Sequence, residues 1–119
     1  MVLDLAELVR ALLAYDPLEA RQWVADARRV GLVWPDVRMP EGLDRTGLTV
    51  AAAVAELLAG RAGQAPPPWT AAVPAAPAPL FLVRAALTMP RLRKLCTEEG
   101  PEPLRCRQVF APPDFLSVA

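Results

Sequence analysis

Apolar residues recur at helical spacing through the first sixty positions and then lose that rhythm. Leu5, Leu8, Val9, Leu12 and Leu13 share one stripe, with Asp4, Glu7 and Arg10 off it, which predicts an amphipathic helix over residues 3–14. Tyr15-Asp16-Pro17 ends this helix and starts the next. Asp16 stands at the N-cap, Pro17 in the first turn and Glu19 three residues beyond the cap, an Asp version of the capping box. The second helix is predicted to reach Val30, with Trp23, Val24, Ala27 and Val30 inward and Arg21, Asp26, Arg28 and Arg29 outward. Gly31 supplies its left-handed cap. So tight a junction makes the two helices a hairpin or an angular pair.

Residues 32–43 read as an irregular connector, broken by Pro35, Pro40 and Gly42, with Leu32, Val33, Trp34 and Val37 covering the open end of the hairpin. A third helix starts near Asp44 or Thr46 and runs to Leu58 or Ala59, where Gly60 and Gly63 stop it. Leu48, Ala51, Val54, Ala55 and Leu58 form its buried stripe, and residues 50–55 are apolar nearly all round, which suggests burial between two other helices. Residues 62–79 differ in kind. Pro66, Pro67, Pro68, Pro74, Pro77 and Pro79 fix φ and remove donors, so neither a long helix nor a sheet persists there. A polyproline linker and an ordered extended strap both fit; Trp69 and Val73, side chains worth burying, favour the strap.

Beyond the strap, residues 80–87 are apolar except for Arg84 and predict a short buried helix, with a strand as the alternative. Thr88 is expected to cap a further helix through Leu95 or Glu98, carrying Leu92, Leu95 and Cys96 on one face and Arg91, Arg93 and Lys94 on the other. Gly100-Pro101 closes it. The tail reads as a turn of helix at 103–107, an extended stretch at 109–113, and a last turn begun by Asp114 that inserts Phe115, Leu116 and Val118. The expected fold is mainly α: a compact helical domain with a proline-rich extended strap and an irregular C-terminal tail. One domain spans 1–119, divided into a helical core (1–60), the strap (61–79), and short helices with the tail (80–119).

Composition then narrows what such a fold can do. The chain has no histidine, one lysine (Lys94), one serine (Ser117) and two cysteines. Catalysis draws mostly on those types beside an activating partner, so the chain is expected not to be an enzyme. The same shortage predicts no catalytic, cofactor-binding or metal-ligating set: without histidine, two cysteines cannot complete a tetrahedral zinc site. Cys96 and Cys106 are expected to be buried free thiols; the alternative is a reactive thiol at Cys106, between Arg105 and Arg107. Formal charge is zero, which argues against a bulk electrostatic partner. No apolar run approaches the ~20 residues that cross a bilayer, and the acids of the first residues do not suit a signal peptide, so a cytoplasmic location and no membrane partner are expected. The absence of isoleucine and asparagine and the preference for Arg over Lys point to a GC-rich bacterial genome and are compatible with a thermophile.

What remains is suited to contact. Arg84, Arg91, Arg93, Lys94, Arg105 and Arg107 cluster in sequence, and arginine favours planar, bidentate bonds to carboxylate or phosphate. The competing reading is a solvated face balanced by Glu98, Glu99 and Glu102. Trp69 follows three prolines and Phe110 precedes Ala-Pro-Pro; aromatic and Arg anchors on stiff backbone are frequent hot spots, although the same rings could staple extended segments to the core. The predicted partner-binding set is therefore Trp69, Arg91, Arg93, Arg105, Arg107 and Phe110.

Pro-Pro-Trp-Thr at 67–70, Leu-Phe-Leu-Val at 80–83 and Pro-Leu-Arg-Cys-Arg-Gln-Val-Phe-Ala-Pro-Pro-Asp-Phe-Leu at 103–116 resemble small bacterial antitoxin-like proteins encoded beside nucleotidyltransferase-like toxins. Arg105-Cys106-Arg107 stands where similar proteins often carry three arginines. The resemblance covers residues 67–116 and implies an inhibitory or regulatory subunit whose partner is such a toxin. The alternative is a DNA-binding regulator using the N-terminal helices and Arg28, Arg29 and Arg45. Against it, a connector of about thirteen residues stands where a helix-turn-helix has a turn of about three or four, and phosphate-contacting Ser, Asn and Gln are nearly absent, so nucleic acid is not favoured.

Overall fold

Both N-terminal helices begin on an aspartate, as their sequences demand. A computed structural model describes residues 3–117 and places α1 at Leu5–Leu13 and α2 at Pro17–Val30. Asp4 accepts from the Ala6 N–H at 3.0 Å and Asp16 from the Glu19 N–H at 3.1 Å. Both helices close in the same motif. The N–H groups of Tyr15 and Asp16 donate to Leu12 and Ala11, and those of Gly31 and Leu32 donate to Arg28 and Ala27. At α2 the left-handed residue is the expected Gly31; at α1 it is Tyr15, with φ of 54°. That conformation costs a non-glycine residue about 1–2 kcal/mol. The Tyr15 hydroxyl donates to the Phe81 carbonyl at 3.3 Å, which ties this turn to the C-terminal half.

α1 buries Leu5, Leu8, Val9 and Leu12 of the predicted stripe but leaves Leu13, at its last turn, exposed, and α2 buries Trp23, Val24 and Ala27. Val30, expected inward, is half exposed, since α2 leaves the core after Ala27. The Trp23 indole donates to the Asp4 carbonyl at 3.0 Å and its ring meets Trp34 with centroids 6.2 Å apart. Trp34 opens a 3₁₀ turn, Trp34–Asp36, in the connector and is buried, whereas Val33 is exposed rather than covering the hairpin. The Gln64 carboxamide pins this connector, accepting from the Trp34 N–H at 2.7 Å and donating to the Leu32 carbonyl at 3.1 Å.

α3, Arg45–Arg61, is capped by Asp44 through the Gly47 N–H at 2.8 Å. Residues 50–55 are all buried, because α3 packs against α1 on one side and against α5, Glu102–Arg105, on another. Its small Ala51, Ala52, Ala53 and Ala55 permit that approach. Gly60 does not stop the helix. The stop falls at Gly63, whose φ of 70° completes a third closure of the same kind, with Gln64 N–H bonded to Ala59.

The strap is ordered. It is extended except for a 3₁₀ turn at Pro68–Ala72, and Thr70 and Val73 are buried. The helix expected over 80–87 does not form, and the alternative strand is the better description of its start. Strand β1, Leu80–Phe81, lies parallel to β2, Val109–Phe110, with Leu80 opposite Val109 and Phe81 opposite Phe110. Leu80 and Leu82 N–H groups donate to Gln108 and Phe110 at 2.9 and 3.0 Å, partners that only the folded-back tail can offer. A 3₁₀ turn, Arg84–Leu87, leads to α4, Pro90–Glu99. Its N-cap is Met89, with no side-chain cap; the Thr88 hydroxyl faces Ala85 instead. α5 is shorter than the predicted 103–107. In the last turn Leu116 is buried and Phe115 half-buried, and Val118 lies outside the described residues.

One main core runs from Leu5 to Leu116, taking in α1, α2, α3, Leu104 and Val109. A satellite of Phe81, Ala86 and Cys96, with Leu92 and Phe110 against it, seats α4. The radius of gyration is 13.2 Å, close to the roughly 13.5 Å of a compact chain this long.

Gly100 joins α4 to the tail at a close approach. A β-carbon there would overlap the Cys96 carbonyl and sit 2.6 Å from the Ala111 carbonyl oxygen, while its φ of −62° would suit alanine. Gly100→Ala should therefore lower stability by about 1–3 kcal/mol through overlap, where an open site would gain about 0.4–1 kcal/mol. Chemical denaturation of the two proteins gives the sign.

Candidate functional site

The six predicted anchors end up in three different roles. Arg107 is the clear correction. It was expected to meet a partner and is instead buried, 7% exposed, with its guanidinium spent inside the fold. Its Nε donates to the Val73 carbonyl at 3.3 Å, Nη1 to Glu56 Oε1, and Nη2 to Glu56 Oε2 at 3.3 Å and the Thr70 carbonyl at 2.7 Å. The turn after α5 produces this. Gln108 takes φ of 59°, which reverses the chain and aims Arg107 under the strap.

Trp69, Arg93 and Phe110 also work within the fold. The Trp69 indole donates to the Val37 carbonyl at 2.9 Å, stapling the strap to the connector and leaving its ring half-buried. The Arg93 guanidinium lies 5.0 Å from the Phe81 ring centroid, and its Nε donates to the Ala86 carbonyl at 3.2 Å. Phe110 stacks, tilted, on Phe81 with centroids 5.4 Å apart. Arg105 is exposed, with one bond to the Glu98 carbonyl at 3.1 Å, where a cation suits a helix C-terminus. Arg91 is exposed and, among the described residues, has no hydrogen bond or ion pair.

Around Arg91 lies the most outward-looking part of the C-terminal half. Leu87 and Met89 stand 46% and 52% exposed just before α4, and Lys94 follows one turn after Arg91, again without a partner among the described residues. The helix carries its charges backwards: Arg91, Arg93 and Lys94 in the N-terminal half, Glu98 and Glu99 at the C-terminus. Each misplaced charge opposes the helix dipole by about 0.3–1 kcal/mol at an exposed site. Arg93 recovers this from Phe81 and Ala86; Arg91 and Lys94 recover nothing within the fold.

Among the described residues, two clefts bear on function. One of about 330 Å³ lies under the end of α2, where Gln64 and Arg61 are already bonded, Arg61 to the Phe115 and Pro113 carbonyls. The other, about 370 Å³, opens between the α1–α2 turn, the segment after β1 and the tail. Reading the sequence did not find it, because its walls come from three distant segments. The one local sign was a tyrosine at a helix end where glycine is usual.

The thiols separate. Cys96 is buried in the satellite core, and burial pushes its pKa up, against a smaller lowering by a backbone hydrogen bond. Cys106, expected to be buried, is exposed, and its arginine neighbours point away, one to Glu98 and the other to Glu56. Among the described residues no three His, Cys, Asp or Glu side chains are grouped to hold a metal, and no helix is long and apolar enough to cross a membrane. No family model, curated protein or solved structure matches this chain.

Arg107→Leu strands Glu56 and two strap carbonyls. Because Glu56 keeps some exposure, the loss should be about 2–4 kcal/mol, below the full cost of breaking a buried pair. Arg105→Leu should change stability by less than about 0.5 kcal/mol; urea unfolding of both variants makes the contrast. In native protein an alkylating reagent should label Cys106 and spare Cys96, with both labelled in denaturant, as intact-mass spectrometry would record.

Proposed function

We propose that the chain is a non-enzymatic protein–protein interaction module, the inhibitory or regulatory partner in a bacterial two-protein system, and that α4 with the turn before it is its contact surface. The carrying observation is the reversed charge of α4 beside exposed Leu87 and Met89. Unfavourable local choices with no compensation inside a fold concentrate where the compensation comes from outside. Two unpaired cations next to two large apolar side chains suit a partner surface carrying carboxylates around an apolar pocket.

The resemblance over residues 67–116 supports the same reading and suggests a nucleotidyltransferase-like toxin encoded nearby as the partner. Arg91 and Arg105 stay available to it, while Trp69 and Phe110 hold the strap and the satellite core that present the surface. No cofactor enters this role.

Mixing the purified chain with the product of the adjacent gene should give a single earlier peak on size exclusion. The double variant Leu87→Asp with Met89→Asp should abolish that peak, and Arg91→Glu should weaken the complex by about tenfold or more. Val30→Asp, an equally exposed apolar position on α2, should leave it intact. Absence of a complex with the wild-type chain overturns the proposal.

A further inference from the structure

The larger cleft has a composition that the fold alone does not require. Its floor and walls are apolar, formed chiefly by Leu12, Leu82, Phe115 and Leu116, and Arg21 and Arg84 stand at its rim. About 370 Å³ lies at the small end of ligand pockets, which span roughly 300–1,000 Å³. We propose that this cleft binds an amphipathic carboxylate, its hydrocarbon body on the apolar floor and its carboxylate between the guanidinium groups of Arg21 and Arg84.

The formal charges of the rim sum to zero, and the free hydrogen-bond donors favour an acceptor as the ligand's head group. Four charged residues line the cleft, Asp16, Arg21, Arg84 and Asp114. Asp16 is occupied as the cap of α2, accepting from the Glu19 N–H. Arg61, beside Asp114, donates to the Phe115 and Pro113 carbonyls; burial lowers its pKa and the nearby Asp114 charge partly offsets that. Arg21 and Arg84 have no hydrogen bond or ion pair among the described residues, so their guanidinium donors are unused, while the Asp16 carboxylate already accepts a backbone N–H. A forked guanidinium fits a carboxylate oxygen pair better than any neutral group.

Backbone strain points to the same place. Among the described residues three non-glycine residues have positive φ, and two of them line this cleft: Tyr15 at 54° and Leu116, which also borders the smaller cleft, at 60°. Glycine at position 15 would close α1 without cost, as Gly31 and Gly63 do for α2 and α3. Tyrosine there places an aromatic wall in the cleft and a hydroxyl on Phe81. Strained residues gather at ligand clamps, and here the strained Tyr15 both ties the turn to Phe81 and walls the cleft. The cleft meets the proposed α4 surface at the Arg84–Leu87 turn but draws on Arg84 and Ala85 of it rather than on Leu87, and octanoate binding by the isolated chain tests the cleft without a protein partner.

The test titrates ¹⁵N-labelled full-length chain with octanoate, 1-octanol and octyltrimethylammonium, which share a tail and differ in head charge. Octanoate should give saturable shifts confined to the amides around Tyr15, Val83 and Leu116, with affinity at least about tenfold above octanol and higher still above the cation. Arg21→Gln and Arg84→Gln alter exposed side chains and should keep the wild-type melting curve, yet each should weaken octanoate about tenfold while leaving octanol unchanged. Tyr15→Gly keeps the helix closure and removes one wall, so it should weaken octanoate and octanol together. Equal affinity for the three amphiphiles, shifts scattered away from the cleft, no saturation by roughly millimolar octanoate, or glutamine variants that bind octanoate as the parent does would each overturn the proposal.

Discussion

The Arg107 guanidinium is the contact on which the C-terminal half depends, because it solves a problem that the prolines create. A segment with Pro66, Pro67, Pro68, Pro74, Pro77 and Pro79 has few N–H groups and cannot enter a ladder, yet its carbonyls still need donors when they are buried. The strap supplies a few donors itself, Thr70 and Val73 N–H to the Pro67 and Thr70 carbonyls, and the others come from side chains elsewhere. Arg107 serves Thr70 and Val73, Gln108 serves Ala76 at 2.9 Å, and the Thr49 hydroxyl serves Pro74 at 3.3 Å. Glu56 on α3 neutralises the arginine and fixes its plane through both carboxylate oxygens. One planar group thus joins α3, the strap and the tail. The net stabilisation from such a pair is modest, since desolvation offsets much of the attraction. Its main effect is to make any other position of the strap costly.

From that anchor the rest of the C-terminal half follows. The turn that aims Arg107 inward also sets Gln108 and Phe110 to receive β1, and β1 carries Phe81 into the satellite core that seats α4. Charges consumed in this way stand apart from those left over. Arg107, Arg93 and, more weakly, Arg105 act within the chain, whereas Arg91, Lys94, Arg21 and Arg84 have no partner among the described residues. That division replaces a single basic cluster with two surfaces: the α4 face and the rim of the larger cleft.

Much of the fold was legible in sequence where the signal was local. The Asp16-Pro17-Glu19 start of α2, the Gly31 closure and the stripe of α1 up to Leu12 hold, because capping and amphipathic spacing are satisfied by neighbours a turn away. The reading failed where partners were remote. Residues 80–82 look like helix in isolation, but the tail offers hydrogen bonds at Gln108 and Phe110 that no local reading could see. Val30 sits at the right spacing for burial, yet the core ends at Ala27. Of the predicted anchors, Arg107 was singled out for the right chemistry, planar bidentate bonding, and the wrong partner.

By itself, then, the sequence determined a mainly helical chain, a proline-rich segment barred from long helix or sheet, and a residue set poor in acid–base and nucleophilic groups; Trp69 and Val73 favoured a packed strap over a linker without deciding it. Helix starts, stops and apolar faces depend on interactions within one or two turns, so they are written locally. Tertiary structure decided which arginines are spent and which are free, that Cys106 faces solvent while Cys96 does not, and that a cleft exists at all. These depend on where Glu56 meets Arg107 and where Tyr15 meets Phe81, residues more than fifty positions apart in sequence. Such pairings are set by the packing of the whole chain, and no local pattern of residues encodes them.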